Sequence, residues 1–240
     1  MRTWLPVGLL LITSACMTPR PIPQPVPGAP LRRPVLLVHG IDDSPRGLVS
    51  LHNALVDAGW RELELQELKP NDGSLGVEAL ARQVDAGARA LQARTGAEEI
   101  DVVAFSMGSL VTRYWLRRLQ PGVTVKTFVS LSGPHHGTFS GYFRWNTGAT
   151  QMRPNSPLLQ DLAKDEGEWG GVQVYSFWTP WDLMIFPSKS SRLKGATEQQ
   201  FPVVAHPLML IDRRVHQAVI SALEGTFRPR RELQEAPRWP

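Results

Sequence analysis

Cysteine is nearly absent from this 240-residue chain, which carries one, Cys16. That excludes an internal disulfide framework and a zinc site of the cysteine type. A dominant charge is also lacking. Lys and Arg number 26 against 22 Asp and Glu, a formal net charge of +4. The basic residues are scattered apart from the tail RPRRELQEAPRWP at 228–240. No basic stripe forms, so no nucleic-acid partner is expected. The apolar run from Trp4 to Ile12 falls short of the ~20 residues of a membrane-spanning helix. Internal repeats are missing too. What is present, 42% hydrophobic and 20% charged residues, suits one globular domain with a sizeable core.

The N-terminus reads as an address. Met1–Arg2–Thr3 is a short positive segment, Trp4 to Ile12 is apolar, and the small residues Thr13–Ser14–Ala15 precede Cys16. This resembles the lipobox of bacterial lipoproteins, where the cysteine becomes the lipidated mature N-terminus. The resemblance implies a signal peptide over 1–15, an anchor at Cys16, and a cell-envelope location: the outer membrane in a diderm cell, with plain secretion as the alternative. Several acyl chains on one cysteine anchor stably, at about 0.8 kcal/mol per buried CH₂. TPRPIPQPVPGAPLRRP at 18–34 holds seven prolines and reads as a polyproline-type spacer, giving a linker over 16–33. The domain is expected over 34–227, with a mobile tail at 228–240.

Within the domain, apolar runs alternate with helical spacings. Val35–Val38 is apolar throughout, as in a buried parallel strand. Leu48, Leu51 and Leu55 mark a helix ended by Gly59, and Leu63 and Leu65 mark a short strand. Val77, Leu80, Val84, Ala88 and Leu91 mark a long amphipathic helix closed near Gly96. Ile100–Phe105 predicts a strand and Met107–Leu119 a helix. Val123–Leu131, Val172–Phe177 and Phe201–Val204 predict three further strands, and Val215, Val219 and Leu223 a closing helix. About six alternations predict a three-layer α/β fold, a mostly parallel sheet of about six strands with helices on both faces. Residues 138–170 have no clear regular structure and are expected to form a small cap.

The chemistry starts at AFSMG, residues 104–108. The pattern is G-x-S-x-G with Ala104 in place of the first glycine, set where a strand turns into a helix. Such a turn presents Ser106 at the top of the sheet and aims a helix N-terminus at it. Small residues are needed on both sides because the two backbones approach closely there. A serine at that position is also a common helix N-cap, so its partners must decide. In VLLVHGIDD, His39–Gly40 ends the first strand, making the Ile41 amide one candidate oxyanion donor and the Met107 amide the other. Among the later histidines, His206 follows the last expected strand and is the candidate base. His135 and His136 read as loop or pocket-wall residues, and His216 as a surface or flanking residue of the last helix. Asp182 lies in the apolar stretch WTPWDLMIFP, where an unpaired carboxylate would be costly, and is the candidate acid. Asp161 and Asp165 read as a solvated face.

With these residues assembled, the chain resembles a small bacterial lipase or esterase of the α/β-hydrolase superfamily, of the minimal Bacillus type. PVLLVHGI, IDVVAFSMG, the acid in YSFWTPWDLMIFPSKSSRLKGA and the histidine in VVAHPLMLI carry the likeness, including the alanine in the elbow. Phe105 and Ser109 depart from that pattern, and LSGPHHGT is similar to larger bacterial lipases. The resemblance implies carboxylic ester hydrolysis through an acyl-enzyme on Ser106, Asp182 and His206. It implies no metal or organic cofactor, an ester or lipid substrate, and a monomer. An acyltransferase or amidase on the same residues, or a non-catalytic lipoprotein scaffold, are the competing readings. Phe139, Tyr142, Phe143, Trp145, Trp169, Trp178 and Trp181 are expected to be core, an acyl-binding wall or an interfacial surface.

Overall fold

The computed structural model describes residues 18–23, 32–119 and 121–229. The expected signal peptide, Cys16, residues 24–31 of the linker and the tail from 230 lie outside the described residues.

Six strands form one sheet in the order β2-β1-β3-β4-β5-β6, every neighbouring pair parallel. They are β1 (Val35–Val38), β2 (Leu63–Gln66), β3 (Glu99–Phe105), β4 (Thr124–Leu131), β5 (Gln173–Trp178) and β6 (Thr197–Gln200). Each of the first three connections runs through a helix: α1 (Val49–Asp57), α2 (Val77–Thr95) and α3 (Met107–Tyr114). The α3 path continues as a π-helical turn over Trp115–Leu119. Two short helices, α4 (Thr147–Gln151) and α5 (Pro157–Ala163), lie between β4 and β5, and α6 (Arg213–Leu223) closes the fold.

Helices on both faces explain why the central strands β1 and β3 are buried along both faces instead of alternating. Leu36, Val38, Ile100, Val102, Ala104 and Phe128 pack with α2 and α3. Val35, Leu37, Val103, Phe105, Val129 and Phe177 pack with α1 and α6. The long helix is stopped by Gly96, whose φ of 68° is the left-handed cap a glycine adopts freely.

Two expectations need correction. The last strand is Thr197–Gln200, not Phe201–Val204. TEQQ is polar because it lies on the sheet's edge, hydrogen-bonded on one side only. FPVV is apolar because it leaves the sheet and tucks Phe201 and Val203 into the α1/α6 core. Residues 138–170 also hold more regular structure than expected. Besides α4 and α5 they include a 3-10 turn at Phe139–Phe143. Asn146 and Ser156 cap the two short helices by accepting from the Ala149 and Leu159 amides.

The start of the domain is pinned. Arg33 Nε sits 3.0 Å from both Asp101 oxygens, and Asp101 is buried. Burial pushes that carboxyl up, against the pull of Arg33. Part of the linker lies along α1: the Arg20 amide donates to Asn53 Oδ1 at 2.8 Å, and Arg20 pairs with Asp57.

Candidate active site

The sheet order reverses direction at β1 and β3, which is where open parallel sheets place their ligands. Ser106 follows β3 there, in one tight turn. Its φ of 54° and ψ of −128° fall in a region that non-glycine residues avoid, at about 1–3 kcal/mol. The surroundings hold it: the Ser106 amide donates to the Leu131 carbonyl at 2.8 Å, and the Ser109 amide to the Ser106 carbonyl at 2.9 Å. Ser106 occupies the N-cap position of α3, yet its side chain makes no capping hydrogen bond. The hydroxyl is therefore not engaged in starting the helix.

The small residues have separate reasons. A Cβ on Gly108 would run into the His39 carbonyl oxygen and lie 3.0 Å from that of Val38, so the glycine is a steric necessity. Ala104 faces the α2/α3 core and its methyl is fully buried. Ser109 donates its hydroxyl to the Ala104 carbonyl at 2.7 Å, which satisfies a polar side chain where the resembling lipases carry glycine.

Beside the serine passes the turn after β1. A Cβ on Gly40 would come within 2.9 Å of Ser106 Cβ and 3.3 Å of its Oγ. His39 holds this turn with both ring nitrogens. Nδ1–H donates to the Gly40 carbonyl at 2.9 Å, and Nε2 accepts from the Leu68 amide at 3.0 Å. A ring so engaged has no nitrogen left for proton transfer. The Ile41 and Met107 amides flank this point, and neither donates to an acceptor among the described residues.

Asp182 and His206 meet. His206 Nδ1 is 2.6 Å from Asp182 Oδ2, with both side chains buried. The other Asp182 oxygen accepts from the Met184 and Ile185 amides at 3.0 and 2.8 Å. The carboxylate is thereby oriented by its own loop. His206 Nε2 is buried and makes no hydrogen bond. Phe105, the residue before the serine, packs its ring against His206, centroids 4.6 Å apart. Sequence reasoning assigned no such role to Phe105. Its place at the end of a strand whose odd-numbered residues face α6 is the signal that would have found it.

The remaining histidines fall elsewhere. His135 is buried, with Nε2 on Ser130 Oγ at 2.7 Å and Nδ1 unpartnered. Burial first, and the nearby Arg113 second, hold it well below its ordinary range, so it is neutral. His136 is half-exposed, 2.9 Å from Glu166. His216 is buried, not flanking: its Nε2 bonds the Leu210 carbonyl at 2.7 Å, and burial lowers its pKa. Asp161, in α5, and Asp165, in the turn after it, are engaged by Arg118, and Asp165 by Arg117 as well. Among the described residues, no group of three or more His, Cys, Asp or Glu is arranged to hold a metal ion.

The profile of the palmitoyl protein thioesterase family matches residues 34–179. The chain belongs to the palmitoyl protein thioesterase family. The matched span includes His39–Gly40, Ser106 and His135, and it stops before Asp182 and His206. Solved structures agree on the fold. Lipase BlEst2 of Bacillus licheniformis in its mature form is 14% identical at a TM-score of 0.60, over 85% of this chain and 95% of that one. A thermophilic esterase from Thermogutta terrifontis is 15% identical at 0.59, over 82% and 91%. Lipase B of Aspergillus fumigatus gives 0.70 at 17% identity, over 80% of this chain but only 52% of that one. This chain shares the fold of these lipases and esterases, and by its family it is a hydrolase.

Proposed function

We propose that the chain hydrolyses carboxylic esters or thioesters of acyl groups through an acyl-enzyme on Ser106. The observation that supports this most is the buried Asp182–His206 pair at 2.6 Å, whose free Nε2 belongs to a ring packed on the serine's neighbour Phe105. In this reading Asp182 fixes the Nδ1–H tautomer and stabilises the imidazolium. His206 Nε2 takes the Ser106 proton as Oγ attacks the acyl carbon, then delivers it to the departing alcohol or thiol. Water enters by the reverse sequence, its proton passing to Nε2 and back to Ser106, and releases the carboxylic acid. The Ile41 and Met107 amides take the oxyanion, a contribution of several kcal/mol. The match to a palmitoyl protein thioesterase family supports counting thioesters beside oxygen esters, and both would run on the same groups.

A fluorophosphonate probe tests the proposal. Labelling of the wild type and its loss in Ser106→Ala are expected, and no labelling of folded wild-type protein would sink it. Assays with p-nitrophenyl esters and acyl thioesters from short to long chains then rank the substrates. We also propose that Cys16 anchors the chain in the cell envelope through lipid. Release of Cys16→Ser from membranes is the expected result, and continued membrane association counts against it.

A further inference from the structure

Among the described residues, most of the exposed large apolar side chains gather in two loops beside the candidate site. Phe143, Trp145 and Leu183 are 86%, 88% and 85% exposed, and Phe139, Trp181 and Phe186 about half. Trp169 and Trp178, grouped with these by sequence, are buried and belong to the core. The two loops are joined into one ledge. The Phe139 amide donates to the Phe186 carbonyl at 2.8 Å. Thr138 Oγ1 donates to the Met184 carbonyl at 2.7 Å and accepts from the Phe186 amide at 3.0 Å. Phe139 and Phe186 touch ring to ring at 6.1 Å. The ledge is continuous with the site, because Asp182 sits between Trp181 and Leu183.

Two of the rings are braced. The Arg153 guanidinium lies 4.9 Å from the Tyr142 ring centre and 5.1 Å from that of Trp145, and it donates to the Gly141 and Arg144 carbonyls. A preorganised aromatic surface loses little entropy on binding. Charge points the same way. From 139 to 160 the chain carries Arg144 and Arg153 and no acidic residue; Arg144 is paired with Asp42 from the turn after β1, whereas Arg153 is in no ion pair among the described residues. Lys189 is exposed on the second loop, whose acidic residue over 179–192, Asp182, is buried on His206. Aromatic rings with an apolar body and a polar tip, bordered by cations, are the composition of a surface that enters the headgroup layer of a membrane.

We propose that this ledge docks the protein on an anionic phospholipid bilayer, with the mouth of the site facing the acyl boundary. Phe143, Trp145 and Leu183 insert among the lipid chains, and Arg153 and Lys189 meet the headgroup phosphates. This deepens the proposed function by naming the surface from which acyl substrates are taken, and it rests on the site assignment only for that consequence. Among the described residues no helix is long and apolar enough to cross a membrane, so the docking is peripheral.

The test uses the full chain in a Cys16→Ser, Ser106→Ala background, which has no lipid and no turnover. Leu183→Cys then gives a single labelling site for an environment-sensitive dye, and Glu98→Cys, exposed just before β3 at the amino ends of the strands, opposite the candidate site, gives the control. Vesicles of phosphatidylcholine with about one-quarter phosphatidylglycerol are expected to shift the dye at 183 to the blue and leave that at 98 unchanged. Phe143→Ser with Trp145→Ser is expected to raise the lipid concentration needed by about tenfold or more, while hydrolysis of soluble p-nitrophenyl acetate by the same pair of changes in the Ser106 enzyme is unaltered. An unresponsive dye at 183, or equal responses at 183 and 98, overturns the proposal. So does a dye at 183 that is already buried without vesicles, whether by another part of the chain or by a second copy at rising protein concentration. If no ester is hydrolysed but the shift at 183 stands, the catalytic reading falls and the docking surface remains.

Discussion

The ends of β1 and β3 and the ends of β5 and β6 hold the two halves of the candidate site by different means. On the β1/β3 side, backbone does the positioning: Gly40 lies against Ser106, Gly108 lies against the His39 carbonyl, and the serine's φ is fixed at 54°. On the β5/β6 side, side chains do it: Asp182 is held by two amides of its own loop and in turn holds His206, 24 residues further on. The first half is therefore intolerant of added atoms, and the second is intolerant of lost hydrogen bonds.

The comparison breaks hardest if the halves do not work together. Ser106→Ala and His206→Ala are each expected to lower ester turnover by about 10³-fold or more, and the double change by little beyond either single one. Multiplying losses, read from kcat in the two single variants and the double, would separate the halves. Asp182→Asn should fall in the same range, because it removes the acceptor that fixes the His206 tautomer.

The next effect separates shape from chemistry. Gly108→Ala drives a methyl into backbone that cannot move aside, and it is expected to destabilise the fold by about 3 kcal/mol or more. Gly40→Ala meets the Ser106 side chain at 2.9 Å instead. It is expected to cost about 1 kcal/mol of stability while abolishing probe labelling. Thermal melting and labelling of both variants decide this. Equal melting temperatures would show that the close approach at Gly108 is not what the turn depends on.

This difference also explains what could be read from the residues. The backbone-built half is local, so AFSMG and VLLVHGI announce it in a few consecutive letters, and the parallel sheet follows from apolar runs alternating with helical spacings. Asp182 and His206 were legible for another reason: a carboxylate amid WTPWDLMIFP and a histidine after an apolar run both need partners. That run was the wrong strand, since FPVV is core packing and the polar edge strand TEQQ has no hydrophobic signature. His206 kept its place because the chain still returns to the same end of the sheet. The contact of Phe105 with His206 and the burial of His216 were not legible, because each depends on which distant element packs against one side chain.

A smaller effect concerns protons outside the site. Burial lowers the pKa of both His135 and His216. Below the ordinary histidine value of about 6.5 the unfolded chain binds protons that these rings refuse, so stability is complete above that pH and falls as pH drops through it. Each ring contributes a slope of at most about 1.4 kcal/mol per pH unit. His135→Gln is expected to flatten the loss between pH 7 and pH 5 measured by urea unfolding. An unchanged slope would mean that His135 takes up its proton in the folded state despite Arg113 beside it.

The least effect is expected on the polar face far from both halves. Hydrogen bonds from Arg118 first, and from Arg117, pull the Asp165 carboxyl down to about 2, while the pair remains partly open to solvent, with side chains 20% and 25% exposed. A depressed carboxylate stabilises above its unfolded value near 3.8, and that contribution is lost as pH falls toward 2. Screening limits it to about 1 kcal/mol. Asp165→Asn should thus melt slightly below the wild type at pH 6, and the gap should close between about pH 4 and pH 2. Turnover at Ser106 should be unaffected at neutral pH, because Asp165 is hydrogen-bonded by Arg117 and Arg118 and by none of Ser106, Asp182 or His206. A fall in kcat without a fall in melting temperature would show that this polar face is coupled to the serine half of the site after all.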